Sequence, residues 1–200
     1  LDHEHTLTTR MLIAFWTGQM GRTERALELS QSLIPDLRRV LGPDHPDTLR
    51  TRQNIAFRTG QLGAIEKALK MSETLLPDQE GALGPDHPDT LTTRGHIAGW
   101  RWRLGQTEQS LGLFESLEHD QRRFLGSDHP YTLTTRHNIA SLIGQLGRAH
   151  QSLRLLEELL PDHQRDQGFE DPDLQATATS IATWTGQIGR VEQALEILDE

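Results

Sequence analysis

Two apolar patterns and two kinds of break alternate along the chain at a fixed interval. Ala68, Met71, Ser72, Leu75 and Leu76 stand at i, i+3, i+4, i+7 and i+8, the spacing of one face of an α-helix. That pattern returns over Ala26 to Ile34, Ser110 to Leu117, Ser152 to Leu160, and from Ala194 onward. A more polar helical pattern occupies residues 47–59, with Leu49, Ile55 and Ala56 as its apolar positions. Between them lies Leu41-Gly42-Pro43-Asp44-His45-Pro46-Asp47-Thr48-Leu49, which recurs unchanged from Leu83 to Leu91 and with two substitutions, Ser127 and Tyr131, from Leu125 to Leu133. A worn copy falls at Gly168 to Asp173, and Asp2 to Leu7 matches the end of another. Successive copies are 42 residues apart without insertion or deletion, the mark of a stacked-repeat protein.

The breaks predict where each helix begins and ends. Pro46 suits a first helical turn, where its missing N–H has no partner, and Asp47 complements the positive helix end. Asp44 or His45 is then expected at the cap. Gly60-Gln61-Leu62-Gly63 ends the helix, since glycine takes the left-handed conformation that a helix end often needs. The same signal stands at Gly18–Gly21, Gly144–Gly147 and Gly186–Gly189, whereas the third repeat has Trp102-Arg103-Leu104-Gly105. Pro35, Pro77 and Pro161 recur late in the second helix, and His119 in the same place predicts a kink rather than a break.

Each 42-residue unit therefore reads as helix, tight turn, helix and loop. The expected fold is all-α: a right-handed superhelix of about five helical hairpins, at approximately 5–41, 46–83, 88–125, 130–167 and 172–200, in a single array over 1–200. One hairpin cannot bury its apolar face alone, and a stack of them can. With no initiator Met and an end at Glu200 inside a helical pattern, the sequence reads as a piece of a longer protein.

Composition narrows the partners. A formal charge of −9 argues against a nucleic-acid backbone, and no apolar run or leader predicts membrane insertion. Zero cysteines exclude disulfides and thiolate chemistry and agree with a cytoplasmic location. Arginine far outnumbers lysine, Lys67 and Lys70 being the only two lysines.

The candidate chemistry dissolves on repetition. Asp44-His45, Asp86-His87 and Asp128-His129 would suit a metal or a catalytic pair if met once. Met at one loop position three times, they read as caps and loop braces, because loops about 10 Å apart cannot share an ion. Arg10, Arg52, Arg94 and Arg136 are expected to make repeat-to-repeat ion pairs with second-helix acids such as Glu66 or Glu108. Trp100 has counterparts in Trp16 and Trp184 and is expected to pack between helices, whereas Trp102 replaces a glycine and reads, with Arg103, as a binding hot spot. No phosphate-cradling loop or nucleophile arrangement appears, so no enzyme, cofactor or metal is expected.

The unit resembles the tetratricopeptide repeat in its 42-residue form, known from kinesin light chains and nephrocystin-like bacterial proteins. The resemblance rests on Leu-Gly-Pro-Asp-His-Pro-Asp-Thr-Leu, on Asn54-Ile55-Ala56, and on the spacing from Gly63 to Ala68, and it spans essentially the whole chain. It implies that first-helix positions face a groove: Arg50, Gln53, Asn54, Phe57, Gly60 and Gln61 in repeat two. In repeat three these are Thr92, Gly95, His96, Gly99, Trp102 and Arg103, and in repeat four Thr134, His137, Asn138, Ser141, Gly144 and Gln145. Kinesin light chains hold a peptide backbone with an asparagine ladder, which here reads Leu12, Asn54, His96, Asn138, Ser180. The resemblance implies a protein-interaction scaffold that takes a peptide or partner domain at Asn54, Phe57, Gln61, His96, Trp102, Arg103, His137, Asn138 and Gln145. By family analogy it would be the sensor arm of a larger regulator. The competing reading is a self-assembly module, a homo-oligomer that stacks through uncapped repeat ends.

Overall fold

A computed structural model describes residues 4–167, 172–190 and 193. Its helices are α1 (Glu4–Gln19), α2 (Thr23–Val40), α3 (Pro46–Gln61), α4 (Ile65–Leu83), α5 (Pro88–Arg103), α6 (Thr107–Phe124), α7 (Pro130–Gln145), α8 (Ala149–Gln167) and α9 (Pro172–Gln187). No strand occurs among the described residues. The worn loop at 168–171 and the helical pattern from Ala194 lie outside them. Two compact units divide the chain, Leu1–Gly105 with α1 to α5 and Gln106–Glu200 with α6 to α9. Within each, every helix packs on its neighbour in sequence.

The recurring loop is a closed hydrogen-bonded device. His45, His87 and His129 are the N-caps of α3, α5 and α7; their Nδ1 atoms accept from the backbone N–H of Asp47, Asp89 and Tyr131 at 3.2, 3.1 and 3.2 Å. The imidazole, rather than the aspartate before it, thus satisfies an otherwise orphaned donor. Proline follows as the first helical residue. Thr48, Thr90 and Thr132 then donate back to the carbonyls of Gly42, Gly84 and Gly126, each at 2.8 Å. Those glycines have φ of +98°, +98° and +100°, a region that side chains rarely enter.

The second helices run unbroken through Pro35, Pro77 and Pro161. The aspartates after the first two prolines take the recurring arginines: Arg10 meets Asp36 and Arg52 meets Asp78, both at 2.7 Å. This corrects the expected pairing, because the acid lies one helix away in the same hairpin, and Glu66 is not the partner. The hydrogen bond from Arg10 holds the Asp36 carboxyl below its ordinary value. Such pairs are partly exposed and add little stability.

Leucine and alanine fill the interior, as the 3.6-residue pattern requires. Leu7, Leu33 and Leu37 pack together in the first hairpin, and Ile65 and Ala68 of α4 pack with Trp100 of α5. Among the buried polar positions, one amide has no visible compensation. Leu37 is replaced 42 residues later by Gln79, which is fully buried with neither amide atom partnered among the described residues. An unsatisfied buried amide costs about 1–3 kcal/mol. Gln79→Leu, which restores the first repeat's residue, is expected to raise unfolding free energy by roughly that amount in urea titration. An unchanged or lowered midpoint would show that the amide is satisfied.

Candidate functional site

In α3 most of the helix surface is used in packing, and one stripe stays open. In α3, Thr51, Gln53, Ile55, Ala56, Thr59 and Gly60 are buried, whereas Arg50, Asn54, Phe57 and Gln61 are exposed or half-exposed. These four fall at i, i+4, i+7 and i+11, a single stripe along the helix. In the same register α1 presents Thr8, Leu12, Phe15 and Gln19, and α5 presents Thr92, His96, Gly99 and Arg103. The middle rows of the stripe in the first unit are Leu12, Asn54, His96 and Phe15, Phe57, Gly99.

Aromatic contacts tie the stripe to the core. The Phe57 and His96 rings stack with centroids 4.7 Å apart and planes 22° from parallel. Trp100 lies behind both, 6.1 Å from Phe57 and 6.3 Å from His96. The Arg103 guanidinium stands 5.6 Å from the Trp100 ring centroid and donates to the Gly60 carbonyl at 3.3 Å. Asn54, at the middle of α3, makes no side-chain hydrogen bond among the described residues.

Several other positions that the resemblance assigns to the groove contact the next repeat. Gln53 donates to the Asp89 carbonyl at 2.9 Å and to Thr93 Oγ1 at 3.0 Å. His137 uses Nδ1 on Thr177 Oγ1 at 3.1 Å, with Nε2 3.5 Å from Ser141 Oγ. Gly60 lies under the Trp100 ring and Gly144 under that of Trp184, so closely that a methyl group would overlap the indole. Gly18 underlies the flat Arg58 guanidinium in the same way, and Arg58 donates to the Phe15 carbonyl at 3.4 Å. Trp102, half-buried, stands in the register of these joint glycines and not in the open stripe. In the second unit Asn138 is half-buried with no side-chain hydrogen bond among the described residues, and Gln145 is exposed. The sequence did carry a signal for the joint: a flat side chain follows 40 residues after Gly18, Gly60 and Gly144.

The two kinds of glycine respond oppositely to a methyl group. Glycine inside a helix costs about 1 kcal/mol relative to alanine. Gly99, on the open stripe, has nothing within 4 Å of an added Cβ, so Gly99→Ala is expected to stabilise by about that amount. Gly60→Ala is expected to destabilise by roughly 1–3 kcal/mol, because the clash with the Trp100 ring outweighs the helix gain. Chemical denaturation of both variants checks the opposite signs.

Burial also sets the charge of His96. Loss of solvent pushes its pKa down to about 4, and its Nδ1 is buried without a partner. The folded state therefore favours neutral imidazole. Its contribution is fully present above the unfolded value near 6.5 and is lost as pH falls toward 4, by up to about 3 kcal/mol. Comparing urea midpoints of the parent and His96→Phe between these pH values is expected to show a smaller fall in the variant. Parallel pH profiles would contradict a neutral, buried His96.

Among the described residues no three His, Asp or Glu side chains are grouped to hold a metal ion, and no helix is long and apolar enough to cross a membrane. The family model of the tetratricopeptide repeat matches residues 5–80. No curated protein matches the sequence. Among solved structures, a putative kinesin light chain from Podosopora anserina, with nearly identical TPR-like repeats, superposes with a TM-score of 0.76. It is 23% identical, over 100% of this chain and 94% of that one. BtubC (BKLC) from P. vanneervenii gives 0.78 at 17% identity, over 95% and 76%. NprR in complex with its cognate peptide NprX gives 0.75 at 17% identity, over 97% and 53%. The tetratricopeptide-repeat model thus covers the first two repeats, and over the whole chain the 42-residue unit, its capped loop and these superpositions show a helical-repeat fold similar to that of the kinesin-light-chain repeats.

Proposed function

We propose that the chain is an interaction scaffold and that the open stripe of its first helices binds a peptide or an extended segment of a partner protein. The observation that carries this reading is Asn54. Asparagine is a poor residue for the middle of a helix, and here its amide is half-buried and unpaired among the described residues. Beside it in the stripe is His96, half-buried and stacked on Phe57. An extended peptide offers the backbone N–H and C=O groups that such side chains take. Phe57 and the space above Gly99 supply an apolar seat, and Gln61 and Arg103 a polar edge. Asn138 and Gln145 repeat part of this chemistry in the second unit, where His137 bonds Thr177, and Trp102 stands next to Arg103 in the first. NprR, which shares the fold, is known with its peptide NprX bound. By that likeness the chain would act as the sensing part of a larger regulator.

Linear peptides selected against the protein from a random display library test this directly. Selected peptides are expected to bind Asn54→Ala/Phe57→Ala at least about tenfold more weakly, the loss of roughly one interface anchor. The variant's circular dichroism should match the parent at the assay temperature, with a lower melting point because Phe57 no longer stacks on His96. Unchanged affinity would move recognition off this stripe.

Self-assembly is the second reading, and α1 favours it. Ile13, Trp16 and Met20 are 52%, 60% and 63% exposed, whereas Ile55 and Trp100, in the registers of Ile13 and Trp16, are buried. Sedimentation at increasing concentration separates the readings: an invariant monomer removes self-assembly and leaves peptide binding standing.

A further inference from the structure

Away from the open stripe, the first unit has a cavity of about 470 Å³ bounded by α2, α3 and α4. Ile34, Ile55 and Met71 form its apolar wall. Arg38, Arg52, Lys67 and Lys70 surround it, and no carboxylate lines it. Arg52 is neutralised by Asp78, but Arg38, Lys67 and Lys70 form no ion pair among the described residues. A chain of net charge −9 thus places both of its lysines, and an uncompensated arginine, on one pocket.

Repeat geometry accounts for the cavity but not for its charge. The second unit has a cavity of about 400 Å³ at the same register, 84 residues on. There Glu118, Gln151 and Glu158 stand where the first has Ile34, Lys67 and Thr74, and Glu118 pairs with Arg122 at 3.6 Å. The fold therefore tolerates an acidic lining at these positions. Three unneutralised cations around an apolar wall repel one another and lack the counter-charge that the second cavity supplies for itself.

We propose that this cavity binds a small amphipathic anion, its apolar body against Ile34, Ile55 and Met71 and its acid group held by Lys67, Lys70 and Arg38. A volume in the range of small-molecule sites suits a compact ligand. Ammonium and guanidinium groups serve carboxylate and phosphate alike, so the acid group is either of these.

Calorimetric titration with 1-naphthyl phosphate and with 1-naphthoate, at low salt, tests the assignment and tells the two acid groups apart. At least one is expected to bind with a stoichiometry of one and to weaken as salt rises. Lys67→Gln/Lys70→Gln should lose about tenfold or more in affinity, the scale of losing charge-assisted bonds. The same variant should melt no lower than the parent without ligand, because like-charge repulsion has been removed. Ile34→Glu/Lys67→Gln/Thr74→Glu gives the first cavity three residues of the second and should abolish binding while the helical spectrum is kept. 1-Naphthol and inorganic phosphate, each carrying half of the chemistry, should bind far more weakly. Absence of saturable binding by both aryl acids, equal affinity in the variants, or equal binding of inorganic phosphate would overturn the proposal.

Discussion

A flat side chain lying on a glycine joins successive first helices within each unit, and much of the architecture depends on that contact. Trp100 on Gly60, Trp184 on Gly144 and Arg58 on Gly18 are one arrangement met three times, with two chemistries in the flat group. Glycine is placed mid-helix at a cost of about 1 kcal/mol because any Cβ would occupy the plane that the next repeat fills. Arg58 shows that planarity matters more than apolarity: burial lowers its pKa, and the Phe15 carbonyl near the end of α1 accepts one of its N–H groups. Gln53 and His137 add hydrogen bonds at the neighbouring register.

The joint determines what is left over. With the second helix on one side and the next repeat on another, α3 presents Arg50, Asn54, Phe57 and Gln61 as one open stripe. Polar side chains survive there because they need not pack. The same periodicity leaves a cavity beside the second helices, whose lining varies because the fold places no demand on it. A repeat scaffold thus separates positions that hold neighbours from positions that can specialise.

Much of this was legible in the sequence, and the failures share one cause. The 42-residue period, the capped loop and the helix through Pro77 follow from local rules: proline at a first turn, glycine past a helix end, apolar spacing near 3.6. The cap itself could be narrowed only to Asp44 or His45, since both present an acceptor, and geometry selects the imidazole. The resemblance places Gln53, Gly60 and His137 on a groove, whereas in the structure they also contact the next repeat. One helix does not reveal how far round the next repeat reaches, and that contact links residues about 40 apart. The arginine partner eluded sequence reasoning for the same reason: Asp36 and Asp78 become neighbours of Arg10 and Arg52 only once the hairpin closes.

A double-mutant cycle over Gly60→Ala and Trp100→Ala measures the joint most directly, by chemical denaturation of the four proteins. If the indole lies on the glycine, Gly60→Ala destabilises the parent but is neutral or stabilising once Trp100 is alanine, because the clash is gone and the helix gain of about 1 kcal/mol remains. An equal cost of Gly60→Ala in both backgrounds would mean that ring and glycine do not meet. The division between joint and open stripe would then have to be redrawn.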